Sequence, residues 1–310
     1  MTLVLFPSAP FNLREIDEDF SAERTAAKSA GLPTALVDHT RLVNREPLAA
    51  LAALGEHRGD AIYRGWMLSP SQYESLYSTL AESGISLINA PLAYRTCHYL
   101  PDSYAFIEGY TARSVWMPLG GEPPNMTAIL NLLRGFEAKP LILKDYVKSQ
   151  KHYWDEACFI PRANDAGAVE RVVHRFTELC GDELNEGLVF REYLPLKRIG
   201  THPLSGMPLA AEFRIFWLDG EPLLSHRYWA ELGPFESPLP FDELREIAAR
   251  VPSRFFTMDV AFLESGELTI VELGDGQVSG LPTNGLAPEF YRRLAHRIGR
   301  EPLAGALTGE

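Results

Sequence analysis

The chain has 310 residues, 46% hydrophobic and 23% charged, with a formal net charge of -12. That length suits two or three subdomains, and the apolar share is ample for a core. The negative balance argues against a broad nucleic-acid surface, yet leaves room for a local basic site holding a small anion such as a nucleotide.

Residues 1–116 read as alternating strands and helices. The predicted strands are 3–6, 34–37, 61–67 and 85–89. A helix over 21–30 stops at Gly31. Ser69-Pro70-Ser71-Gln72 supplies an N-cap, a first-turn Pro and a capping-box Gln for a helix running to Ser83. Such alternation favours an open, mostly parallel sheet. Residues 117–187 form a second unit, with a helix over 126–136, a strand over 140–144 and a polar loop over 145–156. Asp165 then caps a long helix carrying Val169, Val172, Val173, Phe176 and Leu179 at helical spacing. Residues 188–310 open with a strand over 188–191 and an irregular segment over 196–209. Strands over 211–218 and 222–226 flank the turn Asp219-Gly220. Helices are expected over 242–250 and 288–299.

Residues 258–263 and 267–273 are apolar runs joined by Ser265-Gly266. A two-residue turn there pairs Leu263 with Leu268, Ala261 with Ile270 and Asp259 with Glu272. Strand alternation puts both carboxylates on one face. Like charges directly opposite destabilise a sheet. A divalent cation held by oxygen ligands is one remedy, and a solvated strand end is the other.

Cys97, Cys158 and Cys180 form neither a disulfide framework nor a zinc spacing. The first ten residues lack the basic region of a secretory signal. No stretch approaches the ~20 apolar residues that span a bilayer. These features read as cytoplasmic, with no membrane partner. Neither a Walker sequence nor a proper dinucleotide fingerprint is present, because the Gly274–Gly280 run has the wrong spacing. The histidines show no metal spacing. Arg64, in Tyr-Arg-Gly-Trp, is expected at the surface, with a carboxylate anchor as the alternative.

The basic residues are unevenly chosen, since four of the six lysines fall between 139 and 151. Lys144 ends an apolar strand, so its stem can lie along the sheet while the ammonium reaches a ligand phosphate. Lys148 and Ser149 follow in the loop, with Lys151 and His152 behind them. Glu212 and Arg214 alternate on one strand, and Arg227 emerges after its partner. An acid with two arginines suits ribose hydroxyls and phosphate oxygens. A salt-bridged sheet face is the plain alternative. The strand entering Pro195 frees backbone groups that could pair with a base edge.

In this order the motifs resemble the ATP-grasp superfamily over most of the chain. The 188–228 region is particularly similar to glutathione synthetase and the ribosomal-protein glutamate ligase. The resemblance implies an α+β fold whose N-terminal part is α/β. A pre-ATP-grasp domain (1–116) would precede a lid subdomain (117–187) and a C-terminal core subdomain (188–310), with nucleotide between the last two. Lys144 would contact the adenine edge and α-phosphate, and Lys148 and Ser149 would belong to the phosphate-covering loop. Arg191, Glu192, Tyr193 and Leu194 would form the adenine hinge, mainly through backbone. Glu212 would hold ribose, Arg214 and Arg227 would stabilise the transferring phosphate, and Asp259 and Glu272 would bind magnesium. Two departures stand out. Gly274 occupies the place of the family's usual asparagine, leaving Asp275 as candidate third ligand. The upstream ATP lysine has no match, leaving Arg95 and Arg113 as candidates. The implied activity is an ATP- and Mg2+-dependent carboxylate–amine ligase acting through an acyl phosphate on small-molecule or peptide substrates. The alternatives are an inactive nucleotide-binding interaction protein and an ATP-dependent phosphotransferase.

Overall fold

Apolar runs in the first ninety residues build a sheet with a parallel core. Strands β1 (Leu3–Ala9), β3 (Thr34–Val37), β4 (Gly59–Tyr63) and β5 (Ile85–Leu87) lie in the order β3-β1-β4-β5, and β2 (Asn12–Ile16) adds antiparallel to β1. The computed structural model describes residues 1–52, 54, 57–201, 208–229 and 238–299. Around this sheet run α1 (Ser21–Ser29), the short α2 (His39–Val43) and α3 (Pro47–Ala50), then α4 (Pro70–Glu82), α5 (Pro91–His98) and α6 (Leu100–Ile107). The capping box forms as expected: Ser69 N–H donates to Gln72 Oε1 at 2.7 Å and Gln72 N–H to Ser69 Oγ at 3.3 Å.

A second, antiparallel sheet contains β6 (Ser114–Pro118), β7 (Leu141–Asp145), β8 (Phe159–Ile160) and β9 (Gly187–Glu192) in the order β6-β9-β7-β8. It is backed by α7 (Met126–Leu133) and α8 (Ala166–Cys180). Val169, Val173 and Phe176 of α8 pack on Leu141, Leu143 and Phe190. Hydrogen bonding within this sheet crosses both expected boundaries. The sheet starts at Ser114 and includes β9, which the sequence reading assigned mostly to the third unit.

The segment expected to be irregular contains a small hairpin, β10 (Arg198–Thr201) with β11 (Pro208–Ala210), and its residues 202–207 lie outside the described residues. The third sheet is antiparallel, ordered β13-β12-β14-β15, from β12 (Glu212–Leu218), β13 (Glu221–Arg227), β14 (Phe255–Phe262) and β15 (Leu268–Asp275). Asp219 and Gly220 both have positive φ, 51° and 77°, as a hairpin turn of this hand requires. One face buries Phe213, Ile215 and Trp217 against Leu244 and Ile247 of α9 (Phe241–Ala248). The other buries Phe216, Leu218 and Phe255 against Phe290 and Leu294 of α10 (Ala287–Ile298), together with Val4 and Phe6 of β1. Among the described residues no helix is long and apolar enough to cross a membrane.

Candidate active site

The acidic hairpin reaches the expected carboxylate pair through two compensating departures. Its turn holds three residues, not two: Leu263 N–H donates to Glu267 O at 2.8 Å, Gly266 N–H donates to Leu263 O at 2.9 Å, and Gly266 has φ 92°. Pairing therefore starts one residue out of step, with Ala261 opposite Thr269 and Val260, not Ala261, opposite Ile270. A bulge at Val271 then restores Asp259 opposite Glu272. Arg191 captures the bulged carbonyl, its Nη1 donating to Val271 O at 2.7 Å and its Nη2 to Thr111 Oγ1 at 2.9 Å. A one-residue slip turns a side chain to the other face. Arg191 thus helps to fix the direction of Glu272.

The register of β12 against β14 places Arg214 opposite Asp259. Glu212, Arg214, Asp259 and Glu272 consequently share the face that farther along buries Phe216. Arg214 donates to Asp259 through Nε at 2.8 Å and Nη2 at 2.7 Å, and through Nη1 to Gly280 O at 3.0 Å. Lys144 Nζ reaches Glu272 Oε2 at 3.1 Å. Two side-chain cations thus offset the like-charge pair. Burial would raise the Glu272 carboxyl, but Lys144 and Lys151 bring it down to about 2. Burial also raises Asp259, with Arg214 and Lys151 pulling it back. Burial opposes the charge on Arg214 itself, yet the Asp259 contact more than offsets it, so the guanidinium holds its proton firmly. Burial and then Asp259 push Glu212 up to about 7, against the pull of Lys151.

This charged face lies between two chambers. The first, about 340 Å³, is bordered by Ile142, residues 191–194 and Glu212. The second, about 320 Å³, is bordered by Met67, His98, Leu100, Lys148, Arg214 and Asp259. Lys144, Ser149, Lys151 and Glu272 line both. The loop after Lys144 is shaped by Asp145, whose carboxylate accepts from the N–H groups of Val147 and Lys148 and from Asn185 Nδ2. It continues into helical turns at Lys151–Tyr153 and Trp154–Cys158 instead of staying irregular. In the 191–194 segment, Tyr193 N–H donates to Pro140 O at 2.9 Å, and the Glu192 carboxylate pairs with Lys139 at 2.7 Å.

Several expected residues stand elsewhere. A bulge at Leu223 shifts β13 so that Phe213, not Glu212, faces Arg227. Arg227 therefore belongs to the opposite face and lines neither chamber. Tyr228 takes its place, donating its N–H to Glu212 O at 2.9 Å and lying 4.8 Å beneath the Arg214 guanidinium. Arg95 pairs with Asp102 at 2.7 Å, and Arg113 donates to Gly135 O at 2.7 Å over the Phe136 ring. Neither lines a chamber. Strand alternation turns Asp275 away from Glu272, and its oxygens accept from Asn89 Nδ2 at 2.6 Å and from Gln277 N–H at 2.9 Å. It does not join the Asp259–Glu272 pair as a third ligand. Arg64 is 1% exposed, neither surface residue nor anchor, and pairs with Glu23 at 2.9 Å.

Tyr228 and His98 are functional candidates that sequence patterning missed, whereas Lys151 enters there only as part of the lysine cluster. A one-residue correction of strand parity yields Tyr228. The space beside Gly274 is filled: a Cβ there would lie 2.7 Å from both Thr257 Oγ1 and Ser279 Oγ, which are themselves 2.8 Å apart. An asparagine does not fit without displacing that hydroxyl pair. Asp259 and Glu272 nevertheless offer hard oxygen donors on one face. That set fits a magnesium ion completed by phosphate oxygens and water. Among the described residues no group of three or more His, Cys, Asp or Glu could hold a metal ion.

Residues 134–294 match the model of an ATP-grasp domain, the third family of its clade. The chain belongs to this ATP-grasp family. The matched span carries Lys144, the 191–194 segment, Glu212, Arg214, Asp259 and Glu272. No curated protein matches the chain. Solved ATP-grasp structures resemble it across nearly its whole length. The RimK domain protein ATP-grasp from Sphaerobacter thermophilus DSM 20745 is 14% identical, with 96% of this chain and 98% of that chain covered and a TM-score of 0.63. The macrocyclase MdnC from Microcystis aeruginosa MRC, bound with precursor peptide MdnA, gives 12%, 96%, 99% and 0.54. D-alanine–D-alanine ligase from Bacillus anthracis complexed with ATP gives 15%, 96%, 97% and 0.53. At such identities the likeness speaks for the ATP-grasp fold.

Proposed function

We propose that this ATP-grasp protein is a magnesium- and ATP-dependent carboxylate–amine ligase of the cytoplasm, where ATP is at hand. The observation that carries the reading is the wall shared by the two chambers, where Lys144, Lys151 and Glu272 stand beside the Arg214–Asp259 pair. Adenine lies in the first chamber against residues 191–194, and Glu212 accepts hydrogen bonds from the ribose hydroxyls. Lys144 and Lys151 hold phosphate oxygens, with Ser149 in the loop above them. Asp259 and Glu272 hold magnesium, which neutralises phosphate charge when bound. Arg214 stabilises charge on the phosphoryl group in transfer. A carboxylate oxygen attacks the γ-phosphorus and the bond to ADP breaks. The amine then attacks the acyl carbon, inorganic phosphate leaves with the electrons of the C–O bond, and the amine proton passes to water. The unit built on β6–β9 serves as lid, and the third sheet as core.

The test is magnesium-dependent ADP release with amino acids, peptides and cell extract as acceptors, followed by product mass. Glu272→Gln is expected to lower turnover by at least about 100-fold. A second reading is favoured by the ion pairs that already satisfy Asp259 and Glu272: a nucleotide-binding protein without turnover. Under it, ADP binds and no acceptor releases ADP from ATP. A phosphotransferase would instead leave a stable phosphorylated product.

A further inference from the structure

The second chamber is closed by residues upstream of the family match. Met67, His98, Leu100 and Ser103 form that wall, and all precede residue 134. His98, 9% exposed, ends α5, with its ring stacked 5.2 Å from Tyr94 and tilted 5.5 Å from Tyr99. Tyr94 in turn stacks on Tyr73 at 3.9 Å. This aromatic column fixes the ring without using its nitrogens. Among the described residues neither His98 nitrogen has a hydrogen-bond partner. Neither is fully buried, and His98 lines the chamber, so both stay open to a ligand atom or water. Lys148 lines the same chamber and, among the described residues, is in no ion pair. By contrast, Asp259 and Glu272 are matched by Arg214 and Lys144. The chamber thus offers an unmatched cation and an unmatched imidazole, with Met67, Leu100 and Val278 as apolar lining. Its volume, about 320 Å³, lies at the small-molecule end of the range for ligand pockets.

We infer that this chamber is the acceptor site and takes a free carboxylic acid the size of an amino acid, with Lys148 meeting its charge and His98 its second polar group. The inference rests on the ligase reading and adds the substrate class. A long peptide, as in the MdnC complex, is the occupant it argues against. The acid enters with its carboxylate among Lys148, Lys151 and Arg214, toward the γ-phosphate, and its body against the apolar lining.

The test is a thermal-shift titration of the whole protein with magnesium and the non-hydrolysable analogue AMP-PNP. The probes are glycine, L-alanine, L-leucine and L-aspartate, each also as the last residue of a ten-residue peptide. At least one free acid should give a saturable shift. His98→Ala should raise its half-saturating concentration at least about tenfold, and Leu100→Trp should remove the response. The AMP-PNP shift should persist in both variants. Response to peptides alone, no response to any free acid, or wild-type acid binding by both variants overturns the inference. Repeating the acid titration without nucleotide separates the two readings. A missing AMP-PNP shift counts against the ATP site alone, whereas acid binding lost in the variants upholds this chamber even where no ADP is released.

Discussion

Glu212 is the residue whose charge state matters most near neutrality. Burial and the Asp259 carboxylate hold it at about 7 in the free protein. In the proposed site its ionised form would accept from both ribose hydroxyls, whereas the protonated form would give up acceptor strength. Nucleotide affinity should therefore fall as pH drops through that value. Calorimetric titration with ADP and magnesium is expected to weaken about tenfold from about pH 8 to about pH 6, and Glu212→Gln should flatten the profile. A wild-type profile as flat as that of the variant would remove Glu212 from the ribose site. Gly274 is the other instructive residue. Against the family pattern it reads as a lost metal ligand. In the structure it is the residue that leaves room for the Thr257–Ser279 hydroxyl pair.

Two bulges, each held by a distant arginine, decide what the third sheet presents. Arg191 binds the carbonyl of Val271, and Arg293 of α10 binds that of Leu223 at 3.2 Å. The first returns Glu272 to the side of Asp259, and the second moves Arg227 off the site and Tyr228 onto it. Arg191→Met keeps the aliphatic stem and removes the donors. It takes the donor from a part-buried carbonyl and frees β15 to slip. Magnesium should then no longer strengthen ADP binding in this variant. An unchanged magnesium effect would show that the register holds without Arg191. The same contrast explains what was legible in the sequence. The Asp219-Gly220 turn was readable because two adjacent residues carry the needed positive φ. The bulge at Val271 was not, because its support comes from 80 residues away. The Asp259–Glu272 pair emerged correctly only because the longer turn and the bulge cancel.

At the scale of the molecule, alternating hydrophobicity disclosed the strands and helices, and motif order disclosed the ATP-grasp family. Patterning did not disclose which strands share a sheet, so the sequence reading separates β9 from β6 and β7, its sheet partners. Nor did it disclose the junction between the N-terminal part and the core. Arg64 on the N-terminal side donates to Glu23 and to the carbonyls of Gly276 and Ser279, while Tyr291 of α10 donates to Glu23 at 2.6 Å. An unaccompanied arginine would avoid that interior. Its partners are visible only in three dimensions. The turn it grips leads to Gly280, whose carbonyl holds Arg214, so the N-terminal part both walls the second chamber and braces Arg214. The reaction proposed across that junction has one direct signature. An acceptor acid labelled with oxygen-18 in its carboxylate should deliver label to the inorganic phosphate released with ADP. Phosphate free of label, or ADP release indifferent to any acid, would contradict a ligase that activates a carboxylate at this site.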